Sequence, residues 1–328
     1  MKKAFFIISF LFISSTFAQT GGKKPPSKKS KTKTAIVESQ PGFFERTYIN
    51  ANKSTASAID SMGRSVDVFL SGEKYISKRR KKNKSTVTLK NGAYITEGQT
   101  DNIKYSTQFD ARLHLPNLES KWAIRFTSYD EDEDESGIAR KRPKTAPRRE
   151  NYGTSIAILQ KLGDVNVTFR PRIQLKNGFE TAHLLKFDST AEVRDFIVRP
   201  RFELFARSDA GTGELLGLEL GYELSDKLVL MLTNEQEYRD YENKLSTNHE
   251  ISLSQALEED KFLKYALLYE SSNKPDSFHL IEYVFYVSFT HVALKDMLHY
   301  NLTPRVFFNE DYSFRPRTGF NIGLDFIF

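Results

Sequence analysis

The 328-residue sequence has no cysteine, a single tryptophan and four methionines. Without cysteine there is neither a disulfide framework nor a thiolate metal site, and a lipid anchor on a mature N-terminal cysteine is excluded. After residue 18 no stretch approaches the roughly 18 consecutive apolar residues that a helical membrane span needs. If the mature chain enters a bilayer, it must do so as a closed sheet, because only helices and closed barrels satisfy their backbone polar groups in hydrocarbon. A glycine-rich phosphate loop is missing, as is any stripe of bases and aromatics suited to nucleic acid. The six histidines, His114, His183, His249, His279, His291 and His299, are scattered, and no Ser-His-Asn or Asp-His arrangement marks a nucleophile and its base. Neither catalysis nor a cofactor or metal is expected.

Apolar residues make up 39% of the chain and the mean hydropathy is negative, yet there are 26 phenylalanines and 15 tyrosines, spread over short alternating runs. At the N-terminus, Lys2 and Lys3 precede the apolar run 4–14, and Ser15-Thr16-Phe17-Ala18 closes in small residues. This reads as a cleaved secretory signal peptide over residues 1–18. Residues 19–53 are expected to be a disordered linker, with the lysine, proline and serine run 21–34 unable to bury enough apolar surface to fold. Its lysines would suit an anionic partner such as peptidoglycan, or simply solvent. Residues 54–84 hold an amphipathic helix, with Ile59, Met62, Val66, Phe69 and Leu70 at helical spacing over 54–71, and the basic run Lys78-Arg79-Arg80-Lys81-Lys82. That helix could plug a barrel mouth, cap one end of it, or pack beneath the first strand.

From residue 85 to 328, alternating segments of ten to thirteen residues are separated by polar turns. They are 85–96, 103–115, 120–130, 151–162, 164–176, 182–193, 196–208, 214–224, 227–238, 246–257, 261–271, 278–290, 297–309 and 317–328, fourteen in all, with twelve or sixteen as alternatives. In the last one Phe320, Ile322, Leu324, Phe326 and Phe328 form one apolar face, and Gly319, Asn321, Gly323 and Asp325 the other. A terminal phenylalanine on such a strand resembles the closing strand of Gram-negative outer-membrane β-barrels, where this segment is read as an assembly signal. The resemblance implies an all-β, antiparallel up-and-down transmembrane barrel, porin-like, with outer-membrane lipid, lipopolysaccharide and the barrel-assembly machinery as partners. It also implies short turns on the periplasmic side, at Pro116–Glu119, Gly163, Arg194-Asp195, Ser225-Asp226, Glu258–Asp260 and His291–Asp296, and longer connections outside, above all 131–150. The acidic run Asp130–Glu135 in that region lacks the glycine and ligand spacing of a calcium loop, and reads as a solvated loop or a bridge to lipopolysaccharide phosphates.

Period-two counting assigns inward faces. Arg112, Arg125, Arg170, Arg172, Lys186, Arg199, Arg201, Arg207 and Arg305 would form a basic lumen wall, and Glu219, Glu223, Glu235, Glu237, Glu250 and Glu282 an acidic wall facing it. Trp122, Tyr105, Tyr222, Tyr238, Tyr265 and Tyr283 fall on the lipid side, those near strand ends suiting an interfacial belt. Arg-Pro-Arg occurs at 170–172, 199–201 and 315–317, echoed by Thr303-Pro304-Arg305; since proline cannot donate to a ladder, bulges or frayed pairing are expected there. The resulting expectation is passive passage of small hydrophilic solutes with a bias toward anions. The alternative is a structural or surface-binding barrel whose lumen is closed by Arg-Glu pairs or by helix 54–71.

Overall fold

The computed structural model describes residues 43–71, 85–97, 103–114, 122–127, 152–175, 179–208, 211–275, 277–294 and 297–328. The signal segment 1–18, the lysine-rich run 21–34, the basic run 78–82, the connection 116–119 and the loop 131–150 lie outside the described residues.

Fifteen strand segments follow one helix, α1 (Phe43–Ser71). They are β1 (Thr86–Thr96), β2 (Ile103–His114), β3 (Trp122–Thr127), β4 (Tyr152–Leu162), β5 (Val165–Leu175), β6 (Phe179–Asp188), β7 (Ala191–Val193), β8 (Phe196–Arg207), β9 (Gly211–Ser225), β10 (Leu228–Arg239), β11 (Lys244–Ala256), β12 (Lys261–Ser272), β13 (His279–Ala293), β14 (Leu298–Asn309) and β15 (Arg317–Ile327). Because β6 and β7 both pair with β8, they are two pieces of one wall strand, and the barrel has fourteen strands. Neighbours along the chain pair antiparallel. The ring closes through β1 and β15, in register from Thr88↔Ile327 to Thr96↔Gly319. The twelve- and sixteen-strand alternatives fall away.

Alternation along each strand decides which side is wet. On β5 Phe169 and Ile173 are exposed on the outside, at 40% and 50%, whereas Arg172 between them is only 5% exposed. On β15 Ile322 points outward at 42% exposure, paired with Ala93 of β1. A protein that turns its aliphatic and aromatic residues out and its arginines in reverses the usual burial rule, which is the arrangement of a barrel bathed in hydrocarbon.

The rim holding Phe328 is called the near rim here. Its described turns, 163–164, 194–195, 226–227 and 257–260, are short. The described far-rim connections include 240–243 and 310–316. Left-handed backbone at Gly163 (φ 61°) and Arg194 (φ 56°) lets two of the near-rim turns reverse the chain in two residues.

The strand prolines interrupt the ladder on one side only. Pairing between β4 and β5 stops at Ser155↔Arg172 and resumes at Ile158↔Phe169, skipping Pro171, which stays in register with His183 on the other side. Between β13 and β14 it stops at Tyr286↔Arg305 and resumes at Phe289↔Leu302, skipping Pro304. Pro200 lies opposite the break between β6 and β7, where the Ser189 amide donates to its carbonyl at 3.3 Å. A missing N–H costs one ladder bond, and each break falls where that bond would have been.

Helix α1 starts at Phe43 rather than at residue 54, so residues 43–53, expected within the disordered linker, are helical. Local propensity does not favour helix in a stretch with this many Asn, Ser and Thr; a docked face supplies the stability. Tyr48 donates its hydroxyl to the Met297 carbonyl at 2.8 Å, and its ring lies against Phe326 and Phe328 at 5.8 and 6.3 Å. One turn later Asn52 donates to the Ile327 carbonyl. Ile59 is buried with Leu113 and Ile124, packed against Val87 and Phe328. By register those partners share the outer face of the wall. These contacts place α1 outside the barrel at the near rim, across the seam where first and last strands meet.

Ile59→Asp puts a charge against that apolar patch and removes burial worth about 1.5–3 kcal/mol. Protease digestion of the folded protein is expected to cut within 43–71 of the variant much faster than in the parent, with the strands equally resistant in both. Equal cutting of both helices would contradict the docking.

Candidate functional site in the barrel lumen

Register places every residue expected to face inward on the lumenal face. Arg112 and Arg125 are cross-strand partners, as are Arg199 and Glu219. Thr168 and Lys186 pair, which carries Arg170 and Arg172 to the same side; Arg201 pairs with Gly217 and Arg207 with Gly211. Glu223, Glu235, Glu237 and Glu250 follow along β9 to β11, and Glu282 and Arg305 along β13 and β14. Phe320, Ile322, Leu324 and Phe326 of β15 share the outer face with Ile95, Ala93, Asn91 and Leu89, and Phe328 joins them beneath α1. Tyr105, Tyr222 and Tyr265 are likewise outward and exposed.

Two opposed walls of single sign are not what these positions make. The basic side also carries Asp110, Asp188 and Glu203, and the acidic side Arg239 and Lys264. Arg125 grips Asp110 through two hydrogen bonds, at 3.0 and 2.7 Å. Arg201 bonds Glu235 two strands away and lies 3.6 Å from Glu203. Arg239 meets Glu237 at 2.6 Å, and Lys264 meets Glu250 at 2.6 Å, whose other oxygen accepts the Tyr286 hydroxyl at 2.9 Å. Each of these links joins residues on one strand, on adjacent strands or on strands one apart. They therefore run along the wall. Glu203, 1% exposed, and Glu235, 3%, are buried beside the Arg201 guanidinium, whose contact offsets the cost of taking their charge out of water.

The Pro-Arg units share one packing arrangement. Arg172 lies over Gly153, Arg201 over Gly217 and Arg305 over Gly319, so a Cβ on Gly153 or Gly319 would stand 2.5 Å from guanidinium nitrogen. Glycine on the neighbouring strand gives the planar group room to lie flat on the wall. Arg305 then donates to Asn321 at 2.9 Å and Thr96 at 3.1 Å, tying β14 to β15 and β1.

The lumenal face is not uniformly polar either. Ala266, Leu268, Val284, Tyr286 and Phe307 form a buried apolar cluster on β12 to β14. Lysine and arginine cover its rings, Lys264 at 5.6 Å from the Tyr286 centroid and Arg305 at 5.7 Å from that of Phe307. Period-two counting could have found these positions, since Leu268 pairs with Glu250 and Phe307 with Val284.

At the near rim the structure supplies an Asp-His contact that the sequence did not suggest. His291 bonds Asp260 through Nε2 at 2.9 Å and the Tyr300 hydroxyl through Nδ1 at 2.7 Å. That arrangement ties the turn 257–260 to β13 and β14. Among the described residues no cluster of three or more His, Asp or Glu could hold a metal ion.

Together the outward apolar belt, the closed fourteen-strand ring and the ionic interior define a transmembrane β-barrel. No family model matches the sequence, and no curated protein does. Solved structures similar to it are outer-membrane barrels. OmpT, an outer membrane protein of Vibrio cholerae, is 9% identical, with a TM-score of 0.45 over 75% of this chain and 97% of that one. The outer membrane channel DcaP of Acinetobacter baumannii is 7% identical, at 0.44 over 75% and 97%. Pseudomonas aeruginosa OccK11 (OpdR) is 9% identical, at 0.44 over 74% and 95%.

The hydrogen bond from His291 holds the Asp260 carboxyl below the ordinary carboxylate range. A carboxylate depressed in the fold stabilises it above its unfolded value of about 3.9 and loses that contribution as pH falls through the lower folded value. NMR titration is expected to show Asp260 ionising below that value, and His291→Ala to bring it back up. No change on removing the imidazole would contradict the pairing.

Proposed function

We propose that the protein is an outer-membrane channel, with the near rim in the periplasm, through which small hydrophilic solutes pass passively and anions are favoured. The observation that carries the anion preference is the arc from β1 to β5. Among its described lumenal residues, Lys90, Lys104, Arg112, Arg125, Arg170 and Arg172 outnumber the one carboxylate of the arc, Asp110, even with Asp325 of β15 counted opposite Lys90. Elsewhere on the wall, carboxylates are interleaved with cations and the field is short-ranged. An unbalanced basic arc in a confined lumen raises the local concentration of anions. The docking of α1 against the outer wall supports an unplugged lumen on that side of the question. The outward phenylalanines of β15 fit the assembly signal that the barrel machinery would read, and residues 1–18 the signal peptide that precedes export.

A second reading is favoured by the buried lumenal cluster around Leu268, Tyr286 and Phe307. It makes the protein a structural or surface-binding barrel with a closed interior. Planar-bilayer conductance separates the two. Folded protein, identified by faster migration unboiled than boiled, is expected to give stable channels whose reversal potential in a KCl gradient shows anion preference. Arg170→Glu combined with Arg172→Glu is expected to shift that preference toward cations. Folded protein that never conducts would overturn the channel reading in favour of the closed barrel.

A further inference from the structure

The break between β6 and β7 opens a recess in the barrel wall. Where Ser189 and Thr190 leave the ladder opposite Pro200, the wall holds a recess of about 190 Å³ that faces the lumen. Gly217 on β9 also lines it, with the Arg201 side chain lying over it. We infer that this recess is a binding subsite for a small zwitterion of the α-amino acid class, a solute that pauses there during passage. The inference rests on the channel reading for its access from solution and extends it to a named solute class.

Three observations carry it. The recess is lined by three cations, Lys186, Arg199 and Arg201, and three carboxylates, Asp188, Glu219 and Glu235, so it has no net charge but strong local fields of both signs. A simple anion would be repelled by the carboxylates about as strongly as the cations attract it, and a simple cation the reverse. A solute carrying both signs at short separation is the one whose desolvation is offset at each end.

The second observation is a division between fixed and available groups. Arg201 is clamped by Glu235 and flanked by Glu203, and it serves as floor. Arg199 is different. Its side chain is 41% exposed and meets Glu219 at 3.5 Å, a loose pair that a ligand's carboxylate can displace while its ammonium takes Glu219; Asp188 stays with Lys186 at 3.0 Å and Asn166 at 3.2 Å.

Third, Pro200 and Leu218 are cross-strand partners whose side chains lie on the outer face, and no aromatic ring lines the recess. A sugar would find no platform for its ring face, which weighs against a carbohydrate.

Equilibrium dialysis of the full-length, detergent-folded protein with L-glutamine at low salt is the test, with acetate, methylammonium and glucose as comparators and single-channel current recorded in parallel. L-Glutamine is expected to bind and to interrupt the current, the comparators to do neither, and Arg199→Ala and the isosteric Glu219→Gln each to weaken binding about ten-fold, the loss expected for one charge-assisted contact. Folding of each variant is read from its heat-modifiable gel migration; the two variants fail independently if one does not fold. A conducting parent that binds no glutamine, or binds glucose or acetate equally well, overturns the subsite and leaves the channel standing. Binding that depends on Arg199 or Glu219 in a protein that never conducts upholds the subsite and removes the channel instead.

Discussion

Every other feature depends on a single constraint. In hydrocarbon no water is available to a free amide or carbonyl, so a chain without long apolar helices can span only as a sheet joined to itself. The β1–β15 ladder, from Thr88↔Ile327 to Thr96↔Gly319, performs that joining, and it lets a chain of net charge +6 carry its ionic residues within a wall of phenylalanine and leucine. Closure fixes the two faces, and the faces then fix where each side chain can act.

Inside the ring the difficulty changes from hydrogen bonding to charge. Long cations and carboxylates crowded at low dielectric would repel or lose their ionisation, and the wall answers by alternating sign over short distances. Arg125 with Asp110, Arg201 with Glu235 and Lys264 with Glu250 are cases of it. The flat-lying arginines need glycine opposite them, which explains why Gly153, Gly217 and Gly319 occupy strand interiors where glycine is otherwise unfavourable. Proline serves the same places differently. By removing one ladder bond at Pro171, Pro200 and Pro304 it loosens the wall locally, and at Pro200 that loosening becomes a recess.

Much of this was legible from spacing alone. The alternation of Phe320, Ile322, Leu324 and Phe326 gave the closing strand its direction, and the same count placed the lumenal arginines and glutamates. Partnership was harder to see, because it depends on register and shear: Arg201 reaches Glu235 across an intervening strand, and His291 finds Asp260 thirty-one positions away. Leu268, Val284 and Phe307 look in sequence like any lipid-facing residue, although parity with Glu282 and Arg305 already puts Val284 and Phe307 inside, and the ladder adds Leu268. The helix was visible as a pattern over 54–71 but not in its extent, since Tyr48 and Asn52 become helical through contacts with Met297 and Ile327 at the opposite end of the chain.

Because the chain has no cysteine, each position of β15 can be replaced by cysteine in turn and spin-labelled without background. Collision rates with dissolved oxygen, which concentrates in hydrocarbon, and with a water-soluble nickel chelate then report what each side chain touches. The account predicts that in reconstituted bilayers labels at 320, 322, 324 and 326 favour oxygen and those at 321, 323 and 325 favour nickel, a period of two along the strand. Uniform accessibility along β15, or the same alternation with the two reagents exchanged, would contradict it.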